Sequence, residues 1–208
     1  ETTATFKALA ALESVDLDIQ DLKFESIYLT GVQKQLTYTL KKGVVTIAFP
    51  RKIQKNAAFT LRLKYEGKIF SDHEGLFKVV DPDDKARGPM LFTQFESRSA
   101  RAFFPCNDEP YDKALTELVT RVPEKYEVVA NGVRAKDRFF KKGKDRWREV
   151  RYSMTQPQST YLMAVAIAPF AKISEKLGNK EISLWVADKK TESAKYALSA
   201  TKKLMAYF

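Results

Sequence analysis

Phe59-Thr60-Leu61-Arg62-Leu63-Lys64-Tyr65-Glu66 decides the fold class. Every second side chain is apolar and those between are polar or charged, which is the two-residue period of a strand with one face on a core and the other in water. The same pattern continues outward from this stretch. Leu36, Tyr38 and Leu40 repeat it before a Lys42-Gly43 turn, and Val45, Ile47 and Phe49 after it. Val15 to Ile19, Lys23 to Leu29, Met90 to Phe95, Leu115 to Val122 and Ile182 to Val186 are further strand candidates. Tyr126 to Ala130 runs into Asn131-Gly132, a pair suited to a hairpin turn. Thr160 to Ile167 is apolar on both faces, which predicts a strand buried between two layers. Many short strands joined by turns predict an all-β fold, a β-sandwich or related layered sheet.

Two stretches depart from this rhythm. Between Thr191 and Phe208, Ala194, Ala197, Leu198, Leu204, Met205 and Phe208 fall at helical spacing, with Thr191 placed to cap the helix and Glu192 at its positive end. Asp81 to Pro89, with three acids, two prolines and Gly88, reads as a surface loop. No repeat or low-complexity segment interrupts the chain.

Composition excludes several chemistries. Of 208 residues one is a His, His73, and one a Cys, Cys106. No internal disulfide can form, which fits a reducing compartment such as the cytoplasm. No typical catalytic zinc site can be assembled from these residues, and a Ser-His-Asp triad would have to run through His73. The longest nearly apolar run, Tyr161 to Ala171, is too short to span a bilayer as a helix. The start at Glu1 rather than Met reads as a processed product or an excised piece. With 36 Lys+Arg against 26 Asp+Glu the net charge is +10, and the densest basic stretch is Arg138 to Arg151, interleaved with Phe139, Phe140 and Trp147. Such a mixture can bind nucleic acid. Interspersed acids and the lack of a recognition motif instead favour a solvated hairpin, with Lys141-Lys142-Gly143-Lys144 at its tip and Trp147, Val150 and Tyr152 on the return strand.

The most informative segment is Thr93-Gln94-Phe95-Glu96, followed by Ser97 to Ala102 and then Phe103-Phe104-Pro105-Cys106-Asn107-Asp108-Glu109-Pro110. The two prolines enforce a turn around Asp108 and Glu109, and Arg98 and Arg101 are near enough to pair with them, so this acidic pair reads as a salt-bridged turn. Cys106 reads as a small buried side chain, because no second His supplies a base. Gln94 and Glu96 sit two residues apart at the end of a strand, on one face. Two readings stand for them: ordinary solvated side chains, or a carboxylate and an amide that together hold a substrate's ammonium group and adjoining backbone.

The Thr93–Pro110 segment, followed by Lys113-Ala114, resembles the N-terminal domain of the aminopeptidase N family of zinc metallopeptidases. Leu17 to Leu22 looks like that family's early strand, Gly75-Leu76-Phe77 like its Gly-Leu-aromatic stretch, and Ser159-Thr160-Tyr161-Leu162 like its Ser-Thr-Tyr-Leu strand. Asn107 stands where many members carry an aromatic residue, and the family's opening strand or two are not evident before Glu1. The resemblance implies a saddle-shaped, β-sandwich-like domain over residues 1–186. Residues 187–208 would be a connector and the first helix of a thermolysin-like catalytic domain. It implies that Zn2+ belongs to the longer parent, with no catalytic residue and no metal ligand in this chain. It also implies that Glu96 helps bind the free α-amino group of a peptide substrate and that Gln94 lines the pocket for the first side chain. The implied partners are peptides with a free N-terminus and, within the parent, the catalytic domain; nucleic acid and a membrane span are not among them. A non-catalytic scaffold of the same architecture is the alternative, distinguished by loss of the downstream zinc motif. A bifunctional hydrolase resembling leukotriene hydrolase is disfavoured by a Glu at position 96.

Overall fold

The computed structural model describes residues 1–70, 74–82, 84, 87–187 and 191–208. His73, Asp83 and the connector residues 188–190 lie outside the described residues. The chain is mostly strand with one helix near its end, and it forms two compact units. The first comprises Glu1–Lys78, Phe92–Thr116 and Met154–Ala164, and the second Val79–Leu91, Glu117–Ser153 and Val165–Phe208.

In the first unit, β1 (Thr2–Lys7), β2 (Leu12–Asp18), β3 (Lys23–Leu29), β4 (Tyr38–Lys41), β5 (Val44–Ile53) and β6 (Ala58–Glu66) make two antiparallel sheets, ordered β1-β6-β3 and β2-β5-β4. Their apolar faces share a single cluster. Leu17, Val45 and Ile47 from one sheet are buried with Ile27, Leu61 and Leu63 from the other. This is a β-sandwich, as the alternation predicts. Strand β6 is its central element: Leu63 lies opposite Thr2 of β1 on one side and Ile27 of β3 on the other. Both edges of β6 are therefore hydrogen-bonded, and its alternation puts Leu61 and Leu63 inside while Arg62 and Lys64 stay out. The Lys42-Gly43 turn joins Lys41 to Val44 with φ of 49° and 78° at its two residues, the mirror-image turn that matches strand twist.

Strand β1 carries a weak sequence signal. In Thr2-Thr3-Ala4-Thr5-Phe6-Lys7 the inward positions are Thr2, Ala4 and Phe6, so hydrophobicity barely alternates. Pairing with β6 and stacking of Phe6 on Phe59, ring centres 5.3 Å apart, supply what the local pattern lacks. Leu40, two residues after Tyr38 in β4, is 53% exposed, whereas Tyr38 and Leu36, which precedes the strand, pack on the core. The same unit holds most of β7 (Gly75–Val79) and the end of β8 (Met90–Gln94), where the rings of Phe77 and Phe92 lie 5.9 Å apart. Gly75, at φ +64°, is required by space as well as by conformation: a Cβ there would stand 3.0 Å from that of Ala102 and 3.2 Å from the Phe70 ring.

Thr160 to Ile167 is not one buried strand. Thr160–Leu162 form a 3-10 turn, with Leu162 and Met163 N–H groups donating to the Ser159 and Thr160 carbonyls, and Leu162 is half-exposed. Strand structure resumes only over β14 (Val165–Ala168). The apolar run is divided because Tyr161 and Met163 are drawn onto a separate aromatic cluster in the first unit.

In the second unit β13 (Asp145–Gln158, of which residues 145–153 fall here) is the organising strand. It pairs with β11 (Val133–Arg134), β12 (Arg138–Lys142) and β9 (Ala114–Pro123). The basic hairpin forms, with its turn at Gly143-Lys144 between Lys142 and Asp145. Its cations meet acids: Arg148 binds Glu127 at 3.0 Å and Asp137 at 3.3 Å, and Arg134 binds the same two carboxylates. The Asn131-Gly132 turn does not close a hairpin. It passes the chain from β10 (Glu127–Ala130), which pairs with β14, to β11, which pairs with β13. Tyr152 of β13 stabilises this exchange by donating to the Val128 carbonyl at 3.0 Å.

Strand β15 (Phe170–Leu177) pairs residue for residue with β16 (Lys180–Ala187), and α1 (Thr191–Tyr207) packs on both. Ala194 and Leu198 form the buried stripe of the helix, and Lys202 reaches Glu175 of β15 at 3.2 Å. Leu204, Met205 and Phe208 are exposed. Among the described residues no helix is long and apolar enough to cross a membrane.

Replacing Leu63 by Ala in the sandwich is expected to cost about 2–5 kcal/mol, by lost burial and a residual cavity. Leu40→Ala, in the same sandwich but half-exposed, should stay within about 0.5 kcal/mol. Urea unfolding of the two variants measures the difference, and equal losses would place the core elsewhere.

Candidate functional site

The site is built on a buried aromatic ring. Phe95, directly after β8, is 2% exposed and packs against Phe103 and Phe104 with ring centres 5.6 and 6.4 Å away. Ala100 and Cys106 complete that cluster, with Tyr161 and Met163 against it. Alternation at the end of β8 turns Gln94 outward when Phe95 faces inward, and Glu96 stands at the start of the turn that follows. Both are exposed. The Glu96 backbone N–H points at the Gln94 Oε1, 3.5 Å away, so the pair shares one short stretch of surface. The chain then turns back on itself, with the Ser99 N–H donating to the Phe95 carbonyl at 2.9 Å, and enters the 3-10 turn Ala100–Ala102.

The return segment is held by Asp108, whose side chain is fully buried. Its carboxylate accepts from Arg101 Nε at 3.1 Å, from the Arg101 backbone N–H at 3.2 Å and from Thr160 Oγ1 at 2.8 Å. Its own N–H donates to Asp18 Oδ2 at 3.1 Å, and Arg101 also pairs with Asp18 at 3.3 Å. Asp18 and Cys106 form an isolated antiparallel bridge, with the Asp18 N–H donating to the Cys106 carbonyl at 2.8 Å. Nearby, Arg98 and Glu109 pair at 2.8 Å on the surface. The salt-bridged turn expected from sequence is therefore present, but it is larger than the local residues suggest. Asp18 and Thr160 lie 90 and 52 positions from Asp108, and only the resemblance of the stretches containing them to one family connects them in advance.

Charge in this region is almost entirely matched. Asp18, Asp108 and Glu109 each have an arginine partner. Within Thr93–Pro110, Glu96 is the acid whose carboxylate has no ion-pair partner among the described residues; Asp112, just beyond, also has none and accepts from Asn107 Nδ2 at 2.9 Å. Gln94 and Glu96 thus offer an unclaimed carboxylate and an adjacent amide on a rigid base. Cys106 has the opposite character. It is buried, and burial, followed by the negative charges of Asp108 and Asp18, pushes its thiol well above the ordinary range. A thiol so held is no nucleophile. Among the described residues no group of three or more His, Cys, Asp or Glu side chains is arranged to hold a metal ion.

These features coincide with a known domain: the chain belongs to the Peptidase M1 N-terminal domain family, whose model matches residues 1–162. Among named proteins it is similar to "Probable aminopeptidase 2" of Sulfurisphaera tokodaii, 28% identical over 207 residues, covering 93% of this chain and 26% of that protein. It is 29% identical to aminopeptidase N of Acetobacter pasteurianus over 181 residues, covering 86% of this chain and 49% of that protein. Glutamyl aminopeptidase of Mus musculus is 26% identical over 154 residues, with 74% and 16% covered. The chain therefore spans from 16% to 49% of the length of these three relatives.

Two outcomes follow from the anchor. Asp108→Ala, which leaves Arg101 without its buried partner, should destabilise the chain by about 3–5 kcal/mol. Glu109→Gln, which removes a partly exposed pair, should cost less than about 1 kcal/mol; chemical denaturation distinguishes them. Separately, Cys106 should resist a thiol reagent at pH 8 in the folded chain and react at once when urea unfolds it. Immediate labelling under native conditions would contradict its burial.

Proposed function

We propose that this chain is the N-terminal substrate-recognition and structural domain of a zinc-dependent aminopeptidase that removes N-terminal residues from peptides. Residues 1–186 would be the β domain, and 187–208 would lead toward the part of the protein that carries the chemistry. The observation that supports this most is the Glu96 carboxylate, exposed and unpaired in a segment whose other acids are matched. Membership of a family whose named relatives are aminopeptidases supports the reaction class.

The chemistry assigned to the pair is recognition. A peptide's α-ammonium is a compact cation with three donors, and a fixed carboxylate both neutralises it and accepts a charge-assisted hydrogen bond. The same group is absent from an internal peptide bond, so Glu96 selects for chain ends. Gln94, beside it, offers a donor and an acceptor to the first residue and lines the space for its side chain. Phe95 keeps both oriented by occupying the interior between them.

Zinc does not fit this chain. One His and one Cys are too few donors for a typical site, and the described residues hold no suitable cluster. Zinc would be held by residues outside this chain, and there would supply polarisation of the scissile carbonyl and activation of water. The 208-residue chain alone should therefore hydrolyse no peptide when zinc is added. A full-length protein that cleaves no peptide either would instead make the domain part of a scaffold.

Glu96→Gln in the full-length protein should lower kcat/KM for peptides with a free N-terminus by roughly ten- to a hundredfold. That corresponds to the loss of a charged hydrogen bond of about 1.5–3 kcal/mol. If the carboxylate binds ground and transition states alike, the loss appears mainly in KM. Steady-state kinetics on peptide substrates provide the check, and unchanged constants would remove Glu96 from the site.

A further inference from the structure

The second unit carries a feature that amine recognition does not use. On one face of the β9-β13-β12 sheet, Arg121, Arg138, Phe140, Lys142 and Trp147 line an open groove of about 360 Å³. The register makes this a patterned surface. Arg138 lies opposite Glu149, Phe140 opposite Trp147, and Lys142 opposite Asp145. Along β12 the residues on this face therefore read cation, aromatic, cation, at a spacing of about 6.6 Å between alternate residues.

Charge in the groove is only partly neutralised. Arg121 and Arg138 both bind the same oxygen of Glu149, at 2.7 and 3.1 Å. The Arg121 hydrogen bond, aided by the charge of Arg138, holds the Glu149 carboxyl below its ordinary range. Glu149 thus stays ionised and offsets one of three cations, and Asp145, opposite Lys142 on the same face, offsets part of a second, so the face keeps a net positive charge. The Arg121 and Arg138 side chains remain 63% and 70% exposed, and each guanidinium has more N–H donors than Glu149 uses. Lys142 Nζ lies 4.4 Å from the centre of the Trp147 ring, so a cation and an apolar surface are presented together.

We propose that this groove binds an extended acidic segment of a protein partner, in which two carboxylates flank an apolar side chain at alternate positions. Extended peptide repeats its side chains on one face at the same spacing as β12, so acid-x-apolar-x-acid is the direct complement of Arg138-x-Phe140-x-Lys142. The carboxylates meet Arg121 and Arg138 at one end and Lys142 at the other, and the apolar side chain covers Phe140 and Trp147. A single-stranded nucleic acid fits less well. Acids bound to their own partners, Glu124 with Arg146 and Glu117 with Arg151, interrupt the positive field that a phosphate backbone would need.

The test is fluorescence anisotropy of the 208-residue chain with labelled Glu-Ser-Phe-Ser-Glu, against labelled Gln-Ser-Phe-Ser-Gln and an oligothymidine of equal charge. Saturable binding of the acidic peptide is expected, weakened by added salt and at least about tenfold by Lys142→Glu or by Arg138→Gln. Lys34→Glu, the same charge change at an exposed site in the other unit, should leave it unaltered. Lys142→Glu removes no ion pair among the described residues, so retention of its circular dichroism spectrum keeps the comparison valid, and Arg138→Gln is the second variant should it not. Absence of binding at millimolar peptide, equal binding of the neutral peptide, tighter binding of oligothymidine, or an equal loss with Lys34→Glu would each overturn the proposal.

Discussion

A buried carboxylate must be surrounded by donors or it costs several kcal/mol, and Asp108 is such a group. Its donors come from far apart in the chain. Arg101 provides a side-chain and a backbone N–H, Thr160 a hydroxyl, and Asp18 accepts the Asp108 N–H. These residues belong to the three separate chain segments that make up the first unit. The requirement to satisfy one carboxylate thus ties those segments together at a point where no long strand ladder does so.

The exposed pair depends on that closure. Phe95 can be buried only if Phe103, Phe104, Tyr161 and Met163 are brought around it, and the chain segments that carry them are those held at Asp108. Once Phe95 is fixed, Gln94 faces outward and Glu96 stands at the start of the turn that follows. Glu96 is unpaired because Arg98 and Arg101 are committed elsewhere, to Glu109 and to the Asp18–Asp108 pair. An unmatched surface charge contributes little to stability, and among the described residues the Glu96 carboxylate is left open to a ligand.

Much of this was legible in the sequence. Strand β6 can be read directly from Phe59 to Glu66, since strict alternation has one structural solution, and Lys42-Gly43 announces its hairpin. Strand β1 could not be read, because Thr and Ala at inward positions leave little hydrophobic contrast. Strand β15 could have been: Ala171, Ile173 and Leu177 alternate with Lys172, Ser174 and Lys176 before Gly178. The Glu at position 175 obscures it, and its place is explained only by Lys202 of α1. Thr160 to Ile167 misled because hydrophobicity on both faces records burial without distinguishing one layered strand from a turn followed by a shorter one. At the site, Arg98, Arg101, Asp108 and Glu109 are near neighbours and their pairing could be foreseen. Asp18 and Thr160 could not be added from spacing, as nothing local relates residues 90 and 52 positions away.

We propose that a fold closed around Asp108 presents Glu96 to the amino end of a peptide. An experimental structure of the full-length protein with a bound peptide whose N-terminus is free should show a Glu96 carboxylate oxygen within about 3.2 Å of the α-amino nitrogen, with Gln94 beside the first residue. An ammonium bound by other groups, with Glu96 left in solvent, would contradict it.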